Sequence, residues 1–320
     1  MSSPMSATTN PGIHSRPYQG EADFERIRQF LSATYARYGR QFNWQLDRWE
    51  VARYAGQAQG EITGVRPWEA DIRLWETGDG DLVGAVNPEG RDDFFLQIHP
   101  DYRRLEDEML AWAEAHVAAR AAAGTGTPVL TVYALQDDAL RGELLTRRGY
   151  VNRGPAEVFR SRSLATLLPD GTLPDGYRVR NLNAADPADR AKLAVTNNLT
   201  FGGTRWTPDT IRILARARTY RPDLDFVVEA PDGSVAAFCI VWYDEANRVG
   251  TFEPVGTHPD HRRRGLAAAM MVHAMRRLLA LGGQKAHVNT GAGYYANALY
   301  EALGFAEFDT LERWQKTPDS

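Results

Sequence analysis

The segment His99-Pro100-Asp101-Tyr102-Arg103-Arg104 returns 159 residues later as His258-Pro259-Asp260-His261-Arg262-Arg263. An echo of this kind, set among like elements in like order, marks an internal duplication. Each copy precedes a helix-forming run, 105–122 and 264–281, and each run is followed by a strand-like apolar stretch, 129–133 and 286–289. The next helix of each half then stops at a glycine followed by an aromatic residue, Gly149-Tyr150 and Gly304-Phe305. The chain is therefore expected to fold as two copies of one plan.

Hydrophobic alternation and breaker residues supply the rest of that plan. In the second half they predict a strand over 177–180, helices over 188–197 and 208–218, and a strand over 249–257. Strands 226–229 and 235–242 form a hairpin around Pro231-Asp232-Gly233. The first half matches more loosely, with a strand over 15–19, helices over 23–38 and 46–54, and strands over 73–76, 82–86 and 93–98. The fold class expected is α+β, two tandem domains, each a mixed sheet flanked by helices. The domains run 15–160 and 177–320, the breaker-rich stretch 161–176 reads as a linker, and residues 1–14 read as disordered.

Bulk properties limit what such a pair can do. The 320 residues are 43% hydrophobic and 24% charged, as in an ordinary globular protein with full cores. A net charge of −4 argues against non-specific nucleic-acid binding, which needs a surplus of Lys and Arg. Cys239 is the single cysteine, so no intrachain disulfide is possible and a reducing, cytoplasmic setting is expected. It lies in an apolar run, where a thiol acts as a small hydrophobe. No stretch has the length and apolarity of a membrane span, so no membrane partner is expected. The histidines lack zinc spacing and cysteine support, so no metal is expected either.

One copy of the repeat carries chemistry. In the second half a strand runs into the turn Arg262-Arg263-Arg264-Gly265-Leu266-Ala267, which opens the helix-forming run beginning at Ala268. Unpaired amides at a helix start, its positive dipole end and an arginine cluster together favour an anion. Gly265 and Ala267 keep side-chain bulk out of the way, and a pyrophosphate is the natural guest. A solvated basic turn or a nucleic-acid patch would explain the charge but not the glycine and the helix.

An Arg-x-x-Gly-x-Ala turn between strand and helix resembles motif A of the GNAT acyltransferase superfamily. The segment Tyr300-Glu301-Ala302-Leu303-Gly304-Phe305 follows at the distance where that family carries Leu-Tyr-x-x-x-Gly-Phe. The resemblance covers roughly 177–312, and by duplication it extends loosely to 15–160. It implies acetyl-CoA as acyl donor and two GNAT-like domains. It further implies cofactor contacts at Val255, Gly256 and Thr257 and through Arg262, Arg263, Arg264, Gly265, Leu266, Ala267 and Ala268. Glu253 takes the place of the family's base, and Tyr300 that of the tyrosine beside the thioester sulfur. The family's asparagine seven residues before the tyrosine is replaced by Gly293, with Asn289 and Asn297 nearby.

The first copy lacks these features. The same count from the shared motif puts Glu106 where the second half has Gly265, Glu108 for Ala267 and Phe94 for Glu253, and four residues before the closing glycine stands Leu145 in the first copy where the second has Tyr300. Two carboxylates would repel a diphosphate. The first copy is thus expected to be degenerate, a layout similar to that of the mycothiol synthase family. The reaction expected is transfer of an acetyl group to a primary amine of a small molecule. An acyl-CoA-binding sensor, a protein or peptide N-acetyltransferase, and a homodimeric assembly stand as alternatives or additions. Residues 197–206, including Trp206, are expected to border the acceptor.

Overall fold

The computed structural model describes residues 12–63, 68–89, 93–124, 129–204 and 206–317. These form two compact units, and neither unit is a continuous half of the sequence. Unit 1 comprises 1–44, 68–156 and 311–320, whereas unit 2 comprises 45–67 and 157–310.

The elements in chain order are β1 (Ile13–Pro17), α1 (Glu21–Tyr38), α2 (Leu46–Thr63), β2 (Arg73–Thr77), β3 (Leu82–Pro88), β4 (Asp93–Ile98) and α3 (Glu106–Ala122). They continue as β5 (Leu130–Leu135), α4 (Ala139–Arg147), β6 (Val151–Ser163), β7 (Arg178–Asn181), α5 (Pro187–Phe201), α6 (Pro208–Leu214) and β8 (Asp225–Glu229). The last are β9 (Val235–Asp244), β10 (Val249–Thr257), α7 (Leu266–Ala280), β11 (Lys285–Gly291), α8 (Asn297–Ala302) and β12 (Ala306–Lys316).

In unit 1 the strand order is β1-β2-β3-β4-β5, closed by the Leu311–Lys316 part of β12 running antiparallel to β5. In unit 2 it is β7-β8-β9-β10-β11, closed by the Glu157–Ser163 part of β6 running antiparallel to β11. Each sheet thus takes its last strand from the sequence of the other half. Among the described residues, β4/β5 and β10/β11 pair in parallel.

In unit 2 one sheet face buries Phe226, Val228, Cys239, Val241 and Phe252 against Met270, Met271, Ala274 and Leu278 of α7. The helix presents that methionine-rich stripe at intervals of three and four residues, as an amphipathic helix on a sheet must. The opposite face packs Val227, Val235 and Phe238 against Leu193 of α5 and Ile211 of α6. α6 begins at Pro208 with Thr207 as N-cap, the two threonines Thr207 and Thr210 forming a capping box.

Three sequence-based boundaries shift. The span expected to be disordered, 1–14, lies outside the described residues through 11, and Ile13–Pro17 is a strand paired with β2. Residues 161–176 are not a free tether: 161–163 belong to β6, Leu164 is fully buried, and Leu168 and Leu173 pack on the same core. Burying a leucine side chain such as Leu164 contributes about 2 kcal/mol. The predicted domains 15–160 and 177–320 each lack the strand that the other half supplies.

Unit 2 also holds an acid away from water. Asp225, at the start of β8, is fully buried, and Tyr220 donates a hydrogen bond to it at 2.8 Å. Burial pushes its carboxyl up to about 7, with the Asp189 charge adding and the Tyr220 bond opposing. A raised folded-state pKa means that stability is fully present below the unfolded pKa near 4 and is lost as pH climbs toward 7. Asp225→Asn removes this loss. Its stability relative to the wild type should rise by about 4 kcal/mol between pH 4 and pH 8. Denaturant melts across that range would show it, and parallel curves for the two proteins would refute it.

Candidate active site

The cleft arises where β10 parts from β11. The two strands pair in parallel only from Val249 to Thr251, opposite Lys285 to His287. Beyond that, β11 continues along β6, and the register of β10 with β9 shifts by a bulge between Phe252 and Val255. The Glu253–Pro254 peptide in the bulge is cis. A bulge bends its strand and opens the ladder, which leaves an edge facing a cavity. Glu253, Val255, Gly256 and Thr257 line the result, a cleft of about 540 Å³.

The motif that announces the cleft is a capping device. His258 Nδ1 accepts from the amide of Asp260 at 3.2 Å, Pro259 opens the short 3-10 turn, and the His258 amide donates to Ala236 O. His99 does the same with Asp101 and Val83 in unit 1. In both units the repeated segment turns the chain from strand to helix.

The turn that follows brings Arg262, Arg263, Arg264 and Gly265 to the mouth of the same cleft, with Leu266, Ala267 and Ala268 at the start of α7. Gly265 sits at φ 75°, in the left-handed region, and a Cβ there would meet nothing within 4 Å. Arg263 also has φ 60°, an uncommon state for a side-chain-bearing residue. Strain of this kind concentrates where backbone groups must converge. The first helix–helix bond from this end is Ala269 N to Gly265 O, so the preceding amides stay available to a ligand. Leu266 is buried in the core and offers the cleft only its backbone. Arg262 folds back, its guanidinium donating to Thr257 O and Thr200 O at 3.3 Å and lying over the Tyr295 ring.

Gly256 has a reason the sequence hid. A Cβ there would lie 2.3 Å from the Phe238 ring, so the glycine is required first by packing beneath the strand. Tyr300, on α8, is buried with its ring edge-on to Phe305. Burial pushes its phenol well above the usual tyrosine range, and the Glu253 carboxylate adds to the shift, placing the two groups within electrostatic reach of each other. Arg160 of β6 anchors α8 by donating to Asn297 Oδ1 at 2.6 Å, so Asn297 is committed to structure. Asn289 faces the cleft instead. Phe201, from the stretch 197–206 expected to border the acceptor, and Tyr294 and Tyr295, which sequence reasoning passed over, complete the walls. Trp206 packs with Trp242, Tyr220 and α2 on the other side of the sheet from α7.

In unit 1 the equivalent opening is filled from within. Glu106, only 1% exposed, pairs with Arg103 and Arg141, and Arg103 also pairs with Asp138 at 2.8 Å. The carboxylate thus lies among cations where the other copy has open space over Gly265. Asn43 bonds both Ile98 N and Ile98 O, and Arg141 reaches Leu96 O, so the strand edge is satisfied too.

A helix-start turn, a splayed strand and a tyrosine on the following helix thus meet in one cleft. The family described as Acetyltransferase (GNAT) family matches residues 197–305. That stretch takes in α6, the splayed strand β10, the turn at Gly265 and Tyr300, so the match to a GNAT domain falls on the cleft. Among solved structures, the tandem GNAT protein from the clavulanic acid biosynthesis pathway is similar in fold at TM-score 0.67 and 16% identity, over 96% of this chain and 99% of that one. A GCN5-related N-acetyltransferase from Sphaerobacter thermophilus is similar at 0.64 and 16%, covering 97% and 96%. A GNAT-family acetyltransferase from Colwellia psychrerythraea gives 0.58 and 10%, covering 95% and 98%. No curated protein matches. These likenesses establish the tandem GNAT fold; enzymes with this domain generally use an acyl-CoA donor. Among the described residues no group of three or more His, Cys, Asp or Glu side chains is placed to hold a metal ion, and no helix is long and apolar enough to cross a membrane.

Proposed function

We propose that unit 2 transfers an acetyl group from acetyl-CoA to the primary amine of a small molecule. The observation that carries this reading is that one cleft joins the amide cradle, the splayed strand edge, Glu253 and Tyr300. The residues fit the donor: the open space over Gly265 and the first-turn amides suit a diphosphate, with Arg263 and Arg264 adding charge. Backbone groups of Val255, Gly256 and Thr257 suit the amides of an extended arm.

Glu253 takes the proton that the ammonium must lose before its nitrogen can attack the thioester carbonyl. As the C–N bond forms and the C–S bond breaks, Tyr300 gives its proton to the departing thiolate. The phenol of Tyr300 carries its proton at neutral pH and lines the same cleft as Glu253, so it has a proton to give there. In unit 1 the filled cradle leaves the same fold without a donor site.

Glu253→Gln and Tyr300→Phe should each lower kcat/KM by about 100-fold, the scale of a lost general base or acid. Steady-state assays with an accepted amine, on variants shown to be folded, test this. Wild-type turnover in both would end the reading. Donor binding without turnover across a broad amine panel would instead indicate a sensor.

A further inference from the structure

Helix α2 comes from the first half of the sequence, yet it packs within unit 2, against α6 and β9. We propose that α2 fixes the position of Glu253 through Trp242, which makes Trp242 a positioning residue for the transfer. This rests on the reading of Glu253 as proton acceptor.

Glu253 sits where strand geometry does not dictate its placement. Pairing of β10 with β11 ends at Thr251, and the register with β9 is interrupted between Phe252 and Val255. Across this gap the indole Nε1 of Trp242 donates to the Glu253 carbonyl at 2.5 Å. Trp242 stands opposite Thr251 on β9 and is 2% exposed, so its ring has little freedom. A backbone carbonyl held by a locked indole aims the side chain of the same residue.

Three contacts from α2 converge on that indole. Val51 and Tyr54 pack in the cluster that contains Trp242, Ile240 and Leu214. Glu50 Oε2 accepts from the Thr219 amide and hydroxyl at 3.0 and 2.6 Å, anchoring the turn that carries Tyr220, whose ring meets Trp242 edge-on. Asp47, buried in the first turn of α2, turns its carboxyl to the Thr251 hydroxyl, the residue facing Trp242. The donor cradle at α7 lies on the opposite face of the sheet from this cluster. Loosening α2 should therefore disturb the chemical step and leave donor binding alone.

The test uses the full-length protein. Trp242→Phe keeps an aromatic ring and removes the indole N–H, and Thr251→Val gives a second, gentler probe should the first fold poorly. The expected result is a kcat at least 10-fold lower for Trp242→Phe, with the calorimetric Kd for CoA within twofold of wild type. Val51→Ala should lower kcat less, and its effect should largely vanish in the Trp242→Phe background. If Glu253→Gln is crippled while Trp242→Phe and Thr251→Val keep wild-type kcat, the positioning role is overturned and the base reading stands. If Glu253→Gln itself keeps full kcat, the base reading fails and takes this role with it. A parallel loss of CoA affinity in Trp242→Phe would mean general loosening and would also overturn the proposal.

Discussion

A protein cut to residues 177–320 is expected to lose its cooperative thermal transition and its donor binding together. The cut removes Glu157–Ser163, which pairs with β11 along its whole length, and exposes an apolar sheet edge. It removes Arg160, which holds Asn297 of the helix carrying Tyr300, and Leu164 from the main core. It also removes α2 from the cluster around Trp242. The sum is on the order of 10 kcal/mol, comparable with the whole net stability of a domain. Circular dichroism melts and calorimetry with CoA would register the loss. A fragment that melts within a few degrees of the full chain and binds CoA equally would show that the exchanged strand is dispensable.

The second large effect concerns the cradle. Gly265→Glu should weaken CoA binding by at least 100-fold, roughly 3 kcal/mol, because it sets a carboxylate at the diphosphate position. Gly265→Ala isolates the backbone contribution. Its Cβ would meet nothing within 4 Å, so only the left-handed φ is penalised, at about 1–2 kcal/mol of stability. The alanine variant should then lose less than about 10-fold in affinity. Unit 1 shows the outcome of the first substitution in a settled form, with Glu106 neutralised by Arg103 and Arg141. In unit 2 no second arginine equivalent to Arg141 stands at the same count, where the sequence has Ala296–Tyr300. Equal CoA affinities for the wild type and the glutamate variant would remove the cradle from the account.

Much of this was legible in the residues because the strongest signals are local. Gly265 before a helix-forming run, and Glu253 and Tyr300 at fixed counts from it, are features of short segments, and the fold gathers them into one cleft. The strand exchange was not legible. β6 begins with Val151-Asn152-Arg153-Gly154-Pro155, where Gly and Pro mask a strand. β12 carries Glu307, Asp309, Glu312 and Arg313 among its apolar residues, which dilutes the alternation. Neither segment says which sheet it will join, since pairing is decided by distant partners. The role of α2 was hidden for the same reason, its site of packing lying far along the sequence. Gly256 shows a third limit: its proximity to a ligand was inferred, but Phe238 beneath it is what excludes a side chain.

The exchange of last strands also sets the order in which the molecule can be finished. During synthesis unit 1 has β1 to β5 early, but its sheet stays one strand short until Leu311–Lys316 emerges. Unit 2 can complete its sheet sooner, since β6 is waiting before β11 is made. The half with the filled cradle therefore matures last, and until then the outer edge of β5 is exposed to other nascent chains, a hazard that early-folding N-terminal domains ordinarily escape.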